Sequence, residues 1–357
     1  MAAERPTLTR GGLVLAPSVG LTHALHYTYN VVMAAVLGPA AFGALGALLA
    51  LILLGSVPGI ALQATAARHT ALLARDGRDQ RALWRSLLRV AAWWGAGLAA
   101  VTVAASPALG AWLHLGSPAP VLALAVALAP STFSYTSQGM LQGREAFGGF
   151  VVVGFVNAVA KLAAGLVLVA AGFGVAGAVA GAAVGTALGA ATGVLLVGRS
   201  IAAAPAAGGV PAREAPAVAA LGREATVAVT GLLGLFLLTN LDVPLARHFL
   251  AAEASGLYAL GAVVAKIAFW GPQFVTTLVY ARLVTGGDRR RLLAGSAALI
   301  AASGALLAAV LASLAARGVS LPLLGRDYAA IGPALPLFAA LGCSLALVQL
   351  LLFEEIA

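Results

Sequence analysis

The feature that most restricts this chain is the recurrence, along almost its whole length, of apolar windows of about 18 residues or more that carry hardly a charge. Each is long enough for an α-helix to cross a hydrocarbon core of about 30 Å. A transmembrane barrel would instead alternate apolar and polar residues in much shorter segments. Composition agrees, with 61% hydrophobic and 9% charged residues and a mean hydropathy of +1.00, far from a soluble domain. The expectation is an all-α polytopic membrane protein of about ten spans, at 12–36, 42–67, 87–106, 119–142, 148–171, 175–197, 224–244, 254–280, 292–315 and 331–353. The opening stretch "GGLVLAPSVGLTHALHYTYNVVMAAVLG" is too long and too polar in its middle for a cleaved signal peptide, so it reads as a retained first helix.

Charge orients these spans. The net charge is +9. With the N-terminus inside, 16 arginines fall on the cytoplasmic side, against Arg247, Arg317 and Arg326 on the other, and Lys161 and Lys266 lie within spans. This is the positive-inside bias, which predicts a multi-pass protein of the cytoplasmic (inner) membrane with a cytoplasmic N-terminus. Topology thus explains the basic balance, and no nucleic-acid partner is expected. The single cysteine, Cys343, leaves no disulfide framework and no cysteine-based metal site.

Segment 198–223, rich in Ala, Pro and Gly, divides the chain into a six-helix bundle (1–197) and a second bundle of four helices (224–357), with itself as a cytoplasmic linker. A weak internal repeat crosses it. "LGPAAFGALGALLA" (37–50) aligns with "LAAEASGLYALGAV" (250–263), which sets Gly43 on Gly256; Pro58 then meets Pro272 and Arg68 meets Arg282. Continued, the offset carries Gln142, at the end of the fourth span, onto Glu355. The second bundle is therefore expected to be incomplete: either two helices are missing from it, which is the favoured reading, or it is natively shorter. Six spans before the second bundle make the repeats parallel, a transporter architecture with the site between the halves.

The chain resembles the polysaccharide exporter or O-antigen-type flippase family of the multidrug/oligosaccharidyl-lipid/polysaccharide (MOP, MATE-like) superfamily. The resemblance spans the chain and rests on "LGPAAFG", Arg68 closing the second span, "LQGREAFG" (141–148), "GFGVAGAVAG" (172–181), "TNLDVPLARHFL" (239–250), "SGLYALGAVVAKI" (255–267) and "GRDYAAIGPALPLFAAL" (325–341). It departs in ending after ten helices and in reading "YARLV" at 280–284, where many members place a proline before the arginine. The resemblance implies two helical bundles rocking around a central cavity to move a lipid-linked sugar, such as a polyprenyl pyrophosphate glycan, across the membrane.

Ionisable residues within spans are costly and normally face a cavity or a partner. Lys161 lies mid-span, too deep to snorkel easily, with Asn157 one turn before it on the same face. An ammonium beside an amide suits a phosphate anion; the alternative is a structural lysine paired across helices. Lys266, near the middle of the eighth span, carries the same two readings. Asp242, close to the external end of the seventh span, either caps a helix end or pairs with Arg247, or faces a cavity as a cation, proton or sugar-hydroxyl site. His23, His26 and Asn30 share one face of the first span, open to proton coupling or to simple cavity lining. In "WGPQFVTT" (270–277), Pro272 kinks the eighth span and exposes Gln273.

In the flippase reading Lys161 and Lys266 hold the anionic head group, Asn157, Gln273 and Asn240 contact sugar hydroxyls, and His23, His26 or Asp242 couple a proton or cation. No metal site is expected from the two histidines, for want of a third ligand, and no cofactor. "GFGVAG" follows an apolar helix where a dinucleotide site needs a strand. Glycines at 177, 181, 185, 189 and 193 form one smooth helix face for close packing. No nucleophile, base or phosphate loop suggests an enzyme. Beyond substrate, the expected partners are membrane lipids and glycan polymerase or glycosyltransferases. Two alternatives stay open: a cation-coupled small-molecule or drug antiporter of the same superfamily, and a non-transporting scaffold for glycan assembly.

Overall fold

The structure is a computed structural model that describes residues 10–203, 217–270, 289–316 and 326–356. Among the described residues every regular element is helical. Eight helical stretches are long and apolar enough to cross a membrane, and two of them, Gly20–Arg75 and Phe147–Ala202, run for 56 residues. A straight helix of that length would extend about 84 Å, more than twice a bilayer core. Each is broken by glycine in the left-handed region, the first at Gly38 (φ 73) and the second at Gly172 and Gly174 (φ 89 and 51). Each is therefore two spans joined at a glycine turn, as the sequence-expected pairs 12–36 with 42–67 and 148–171 with 175–197 require. The first two glycines of "GFGVAG", Gly172 and Gly174, thus have a conformational task, since L side chains rarely adopt these angles. The chain is an all-α polytopic membrane protein.

In chain order the helices are α1 (Arg10–Gly55, bent at Gly38), α2 (Val57–Arg75), α3 (Arg81–Ala104), α4 (Ser106–Trp112), α5 (Ala119–Gly143), α6 (Phe147–Leu168) with a π turn at Val169–Phe173, and α7 (Gly174–Ala202). Then come α8 (Val218–Asn240), α9 (Asp242–Phe249), α10 (Ala252–Trp270), α11 (Arg289–Ala316), a 3-10 helix at Arg326–Ala334 and α12 (Leu335–Ile356). The chain forms two compact units: Met1–Tyr29 with Ala47–Pro244, and Asn30–Gly46 with Leu245–Ala357.

In the first unit α5 packs against α2, α3 and α7. Its run "STFSYTSQG" looks too polar for a buried membrane helix, yet Ser131, Thr136 and Ser137 donate to carbonyls three or four residues back in α5 itself. Thr132 also reaches across to the Ala91 carbonyl of α3 at 2.9 Å. These hydroxyls satisfy themselves locally and leave small side chains on the packing face. An apolar core of Leu62, Leu83, Trp84, Leu87, Met140, Val153 and Leu221 gathers α2, α3, α5, α6 and α8. At its rim Glu224 of α8 accepts from Arg68 (2.9 Å) and pairs with His69 (2.8 Å) of α2.

The second unit is built around Asn30–Gly46, the end of the first span and the turn after it. Buried Arg247 donates to the Ala40 carbonyl and to the Ser255 hydroxyl, each at 3.2 Å, and its burial lowers the guanidinium pKa from the usual arginine value. Tyr328 donates to the Ala34 carbonyl at 3.1 Å and meets Phe42 edge to face. A Cβ on Gly43 would collide with Ser255 and the Gly256 nitrogen, and one on Gly256 with the Pro39 carbonyl. The two glycines that the internal repeat equates are thus pressed backbone to backbone. Elsewhere α12 packs on α10 and α11, with Gly342 against the Ala265 carbonyl and Gly304 against Cys343.

Candidate functional site

The mid-span lysine of the first unit sits where three helices meet. Lys161 is the fifteenth residue of α6, about 21 Å from its start, so its ammonium cannot reach the near surface. Its Nζ lies over the ring of Tyr29 in α1, 4.2 Å from the centroid. The Tyr29 hydroxyl in turn donates to the Ala178 carbonyl of α7 at 2.7 Å. One buried tyrosine therefore carries the charge on its face and ties α1 to α7 through its edge.

The register follows from small residues. Gly154 of α6 faces Thr22 of α1, and seven residues on in both helices Lys161 faces Tyr29. Contacts that advance together show α1 and α6 running parallel at this point, as two odd-numbered spans must. On the other side of α6 the glycine row of α7 presses in. Gly181 abuts Gly165, Gly185 abuts the Asn157 carbonyl and the Lys161 Cβ, and Gly189 abuts the Asn157 side chain. The row expected to serve close packing does so, and what it packs against is the polar pair Asn157 and Lys161.

The electrostatics of the site are one-signed. Among the described residues the Lys161 ammonium makes no ion pair, and the ion pairs found there involve Glu224. An aromatic face attracts a cation through its quadrupole, worth about 1–2 kcal/mol when water is partly excluded, without cancelling its charge. A carboxylate partner would have cancelled it. His26, one turn before Tyr29, lies within electrostatic reach of both Lys161 and His23. His26 and Asn157 are half-buried, while His23 is exposed.

The structure therefore brings together Lys161, Asn157, His26 and His23. Tyr29, absent from the sequence-derived set, joins them; its signal was an aromatic placed one turn after His26 in "HALHYTYN". The other expected residues lie elsewhere. Asn240 closes α8 and is buried; its amide nitrogen donates to the Phe236 carbonyl (3.0 Å) and the Thr239 hydroxyl (2.9 Å), and its Oδ1 has no partner among the described residues. The helix breaks at Leu241, so half-buried Asp242 begins the first turn of α9, where its charge favours the helix dipole. Lys266 is half-buried in α10 of the second unit. Gln273 and the Pro272 kink lie outside the described residues. Among the described residues no group of three His, Cys, Asp or Glu side chains could hold a metal ion.

No family model matches the sequence, and no curated protein matches it. Solved structures are similar throughout. An inward-facing multidrug resistance MATE family transporter of the MOP superfamily superposes with a TM-score of 0.63 at 12% identity, over 92% of this chain and 82% of that one. The chain has the fold of MOP-superfamily transporters. A second MOP-superfamily transporter, from Pyrococcus furiosus Vc1 (DSM3638), is described by the reverse polarity of its binding pocket, which suggests a different function for it. It matches with a TM-score of 0.56 at 15% identity, over 95% of this chain and 83% of that one. A MATE structure in the bent conformation matches at 0.51 and 13% identity, over 96% and 83%. These similar structures are transporters and not enzymes.

Proposed function

We propose that this protein is an alternating-access transporter that moves a lipid-linked oligosaccharide or polysaccharide precursor across the cytoplasmic membrane, with its N-terminus and arginine-rich side in the cytoplasm. The observation that carries the reading is the Lys161 ammonium, held at mid-span on the face of Tyr29 with no ion pair among the described residues. An ammonium at that depth suits the phosphates of a polyprenyl pyrophosphate glycan and repels a cationic drug. Asn157 beside it, and the buried Asn240 carbonyl oxygen, suit sugar hydroxyls, which donate as well as accept. Lys266 of the second unit is a further candidate cation for phosphate, Gln273 a further amide, and His26, His23 or Asp242 a proton or cation for coupling. Substrate binding drives the cycle only through differential affinity for the inward- and outward-facing states. A glycan polymerase or glycosyltransferases would pass substrate to it or take it away.

The multidrug description of one similar structure supports a second reading, a cation-coupled drug antiporter. The reverse pocket polarity described for the Pyrococcus protein, which suggests a different function for it, leaves room on this fold for a function other than drug transport. Proteoliposomes separate the two. With a fluorescent polyprenyl pyrophosphate oligosaccharide and an impermeant sugar-modifying reagent, the wild-type protein should move the lipid across, and Lys161→Ala should slow it at least tenfold. Lys161→Arg should retain most of the rate. Transport of cationic dyes in place of the glycolipid would establish the antiporter; movement of neither, with folded protein in the bilayer, would leave the scaffold.

A further inference from the structure

Helix α3 carries a surface that the transport reading does not use. Arg81, Arg85, Arg89 and Trp93 recur at every fourth position, so they form one slowly turning row along the helix. All four are exposed, Trp93 by 75%. The opposite face, with Leu83, Trp84, Leu87, Val90 and Ala91, is buried in the core of the first unit and fixes the row outward. Beyond Trp93 the outward face continues through Ala96, Gly97, Ala100 and Val101, exposed and without a charge. One helix face thus changes from guanidinium to bare hydrocarbon within a turn, with a tryptophan at the change. Tryptophan at such a boundary marks the headgroup level of a bilayer. The apolar part belongs among acyl chains, so the three arginines lie along the headgroups of the same leaflet, over about 12 Å.

No ion pair with an acid among the described residues neutralises them. Asp79, the nearest in sequence, accepts the Arg81 backbone N–H at 3.0 Å and so caps the start of α3. The Arg85 Nε leans back to the Arg81 carbonyl at 3.4 Å, which keeps successive guanidiniums along the row. The planar guanidinium fork matches phosphate oxygens two at a time. A positive-inside bias is satisfied by charges anywhere in the loops; it does not call for three of them in line on a lipid-facing helix.

We infer that this row is a binding surface for anionic phospholipid, with Arg81, Arg85 and Arg89 gripping headgroup phosphates and Trp93 seated at the glycerol level. The inference is independent of the transported substrate. The test is native mass spectrometry of the full chain, released from detergent with phosphatidylglycerol or phosphatidylcholine added. Wild type should retain phosphatidylglycerol in preference. The triple variant Arg81→Gln, Arg85→Gln, Arg89→Gln should lose at least tenfold of that retention, since basic residues act on anionic lipid cumulatively. A control with the same charge change, Arg75→Gln, Arg199→Gln, Arg223→Gln, alters exposed arginines off the row and should retain lipid as wild type does.

Equal retention of both lipids, or equal loss in both triple variants, would overturn the inference in favour of diffuse charge. Displacement of the lipid by millimolar inorganic phosphate would also overturn it, reassigning the row to a free anion. Should the row variant fail to purify, Arg85→Gln and Trp93→Leu carry the test singly, each expected to weaken phosphatidylglycerol retention several-fold and each counting against the surface if it does not.

Discussion

A lysine at mid-membrane must be neutralised, paired or held by something that tolerates its charge, and Lys161 is held by an aromatic ring. That distinction is testable at Tyr29. Tyr29→Phe keeps the ring and removes only the bond to the Ala178 carbonyl. It should cost about 1 kcal/mol of stability in a thermal unfolding series and leave glycolipid transport near wild type. Tyr29→Leu removes the ring; transport should fall by an order of magnitude or more while the protein still reaches the membrane. Wild-type transport by Tyr29→Leu would show that the ring has no part in presenting the charge. The residue scale also shows why the sequence set was incomplete. Spacing alone could put His26, Asn157 and Lys161 on helix faces, but which aromatic lies under the ammonium depends on the register between α1 and α6.

At the scale of elements, close approach of backbones organises the site. Gly181, Gly185 and Gly189 of α7 each meet named atoms of α6. A Cβ on Gly185 would lie 2.6 Å from the Asn157 carbonyl oxygen and 2.8 Å from the Lys161 Cβ, and backbone cannot give way as a flexible side chain can. Gly185→Val should therefore destabilise by at least the roughly 1–3 kcal/mol of ordinary overpacking and abolish transport. Gly97→Ala on the open face of α3, where nothing lies within 4 Å, should be neutral or slightly stabilising, through helix propensity. Thermal unfolding in detergent compares the two, and equal effects would mean that the glycine row has no packing role. The fourfold repeat of glycine was plain in the sequence; that it seats the polar pair was not, because a row of glycines does not name its partner.

At the scale of the whole molecule, the second unit depends on chain that precedes Ala47. Arg247 is its pin. Arg247→Ala removes charged hydrogen bonds to Ala40 and Ser255 and should cost about 2–4 kcal/mol, seen as a lowered unfolding temperature. Glu224→Gln, by contrast, touches a pair at the exposed rim and should shift stability by less than about 1 kcal/mol. Orientation can be read from cysteines in a Cys343→Ser background. With the arginine-rich side in the cytoplasm, Ser117→Cys, in the exposed turn after α4, should react with an impermeant maleimide in intact cells. Asp79→Cys, in the turn before α3, should react only after permeabilisation; the reverse pattern would invert the proposed topology.

The sequence by itself determined that the chain is a bundle of membrane helices, because hydrocarbon thickness and the need to satisfy every backbone group leave an apolar run of this length little else to be. It also located a polar pair in α6, a glycine row in α7 and a pair of matched glycines, since helix periodicity and residue size are local properties. Only the tertiary structure decided what each of these touches. The Lys161 ammonium lies on Tyr29, some 130 residues earlier in the chain; the Gly43 and Gly256 backbones meet each other; and α8 stops at Asn240, so that Asp242 opens a new helix. These outcomes depend on the register between helices, and register is set by the packing of many side chains at once, which no single helix encodes.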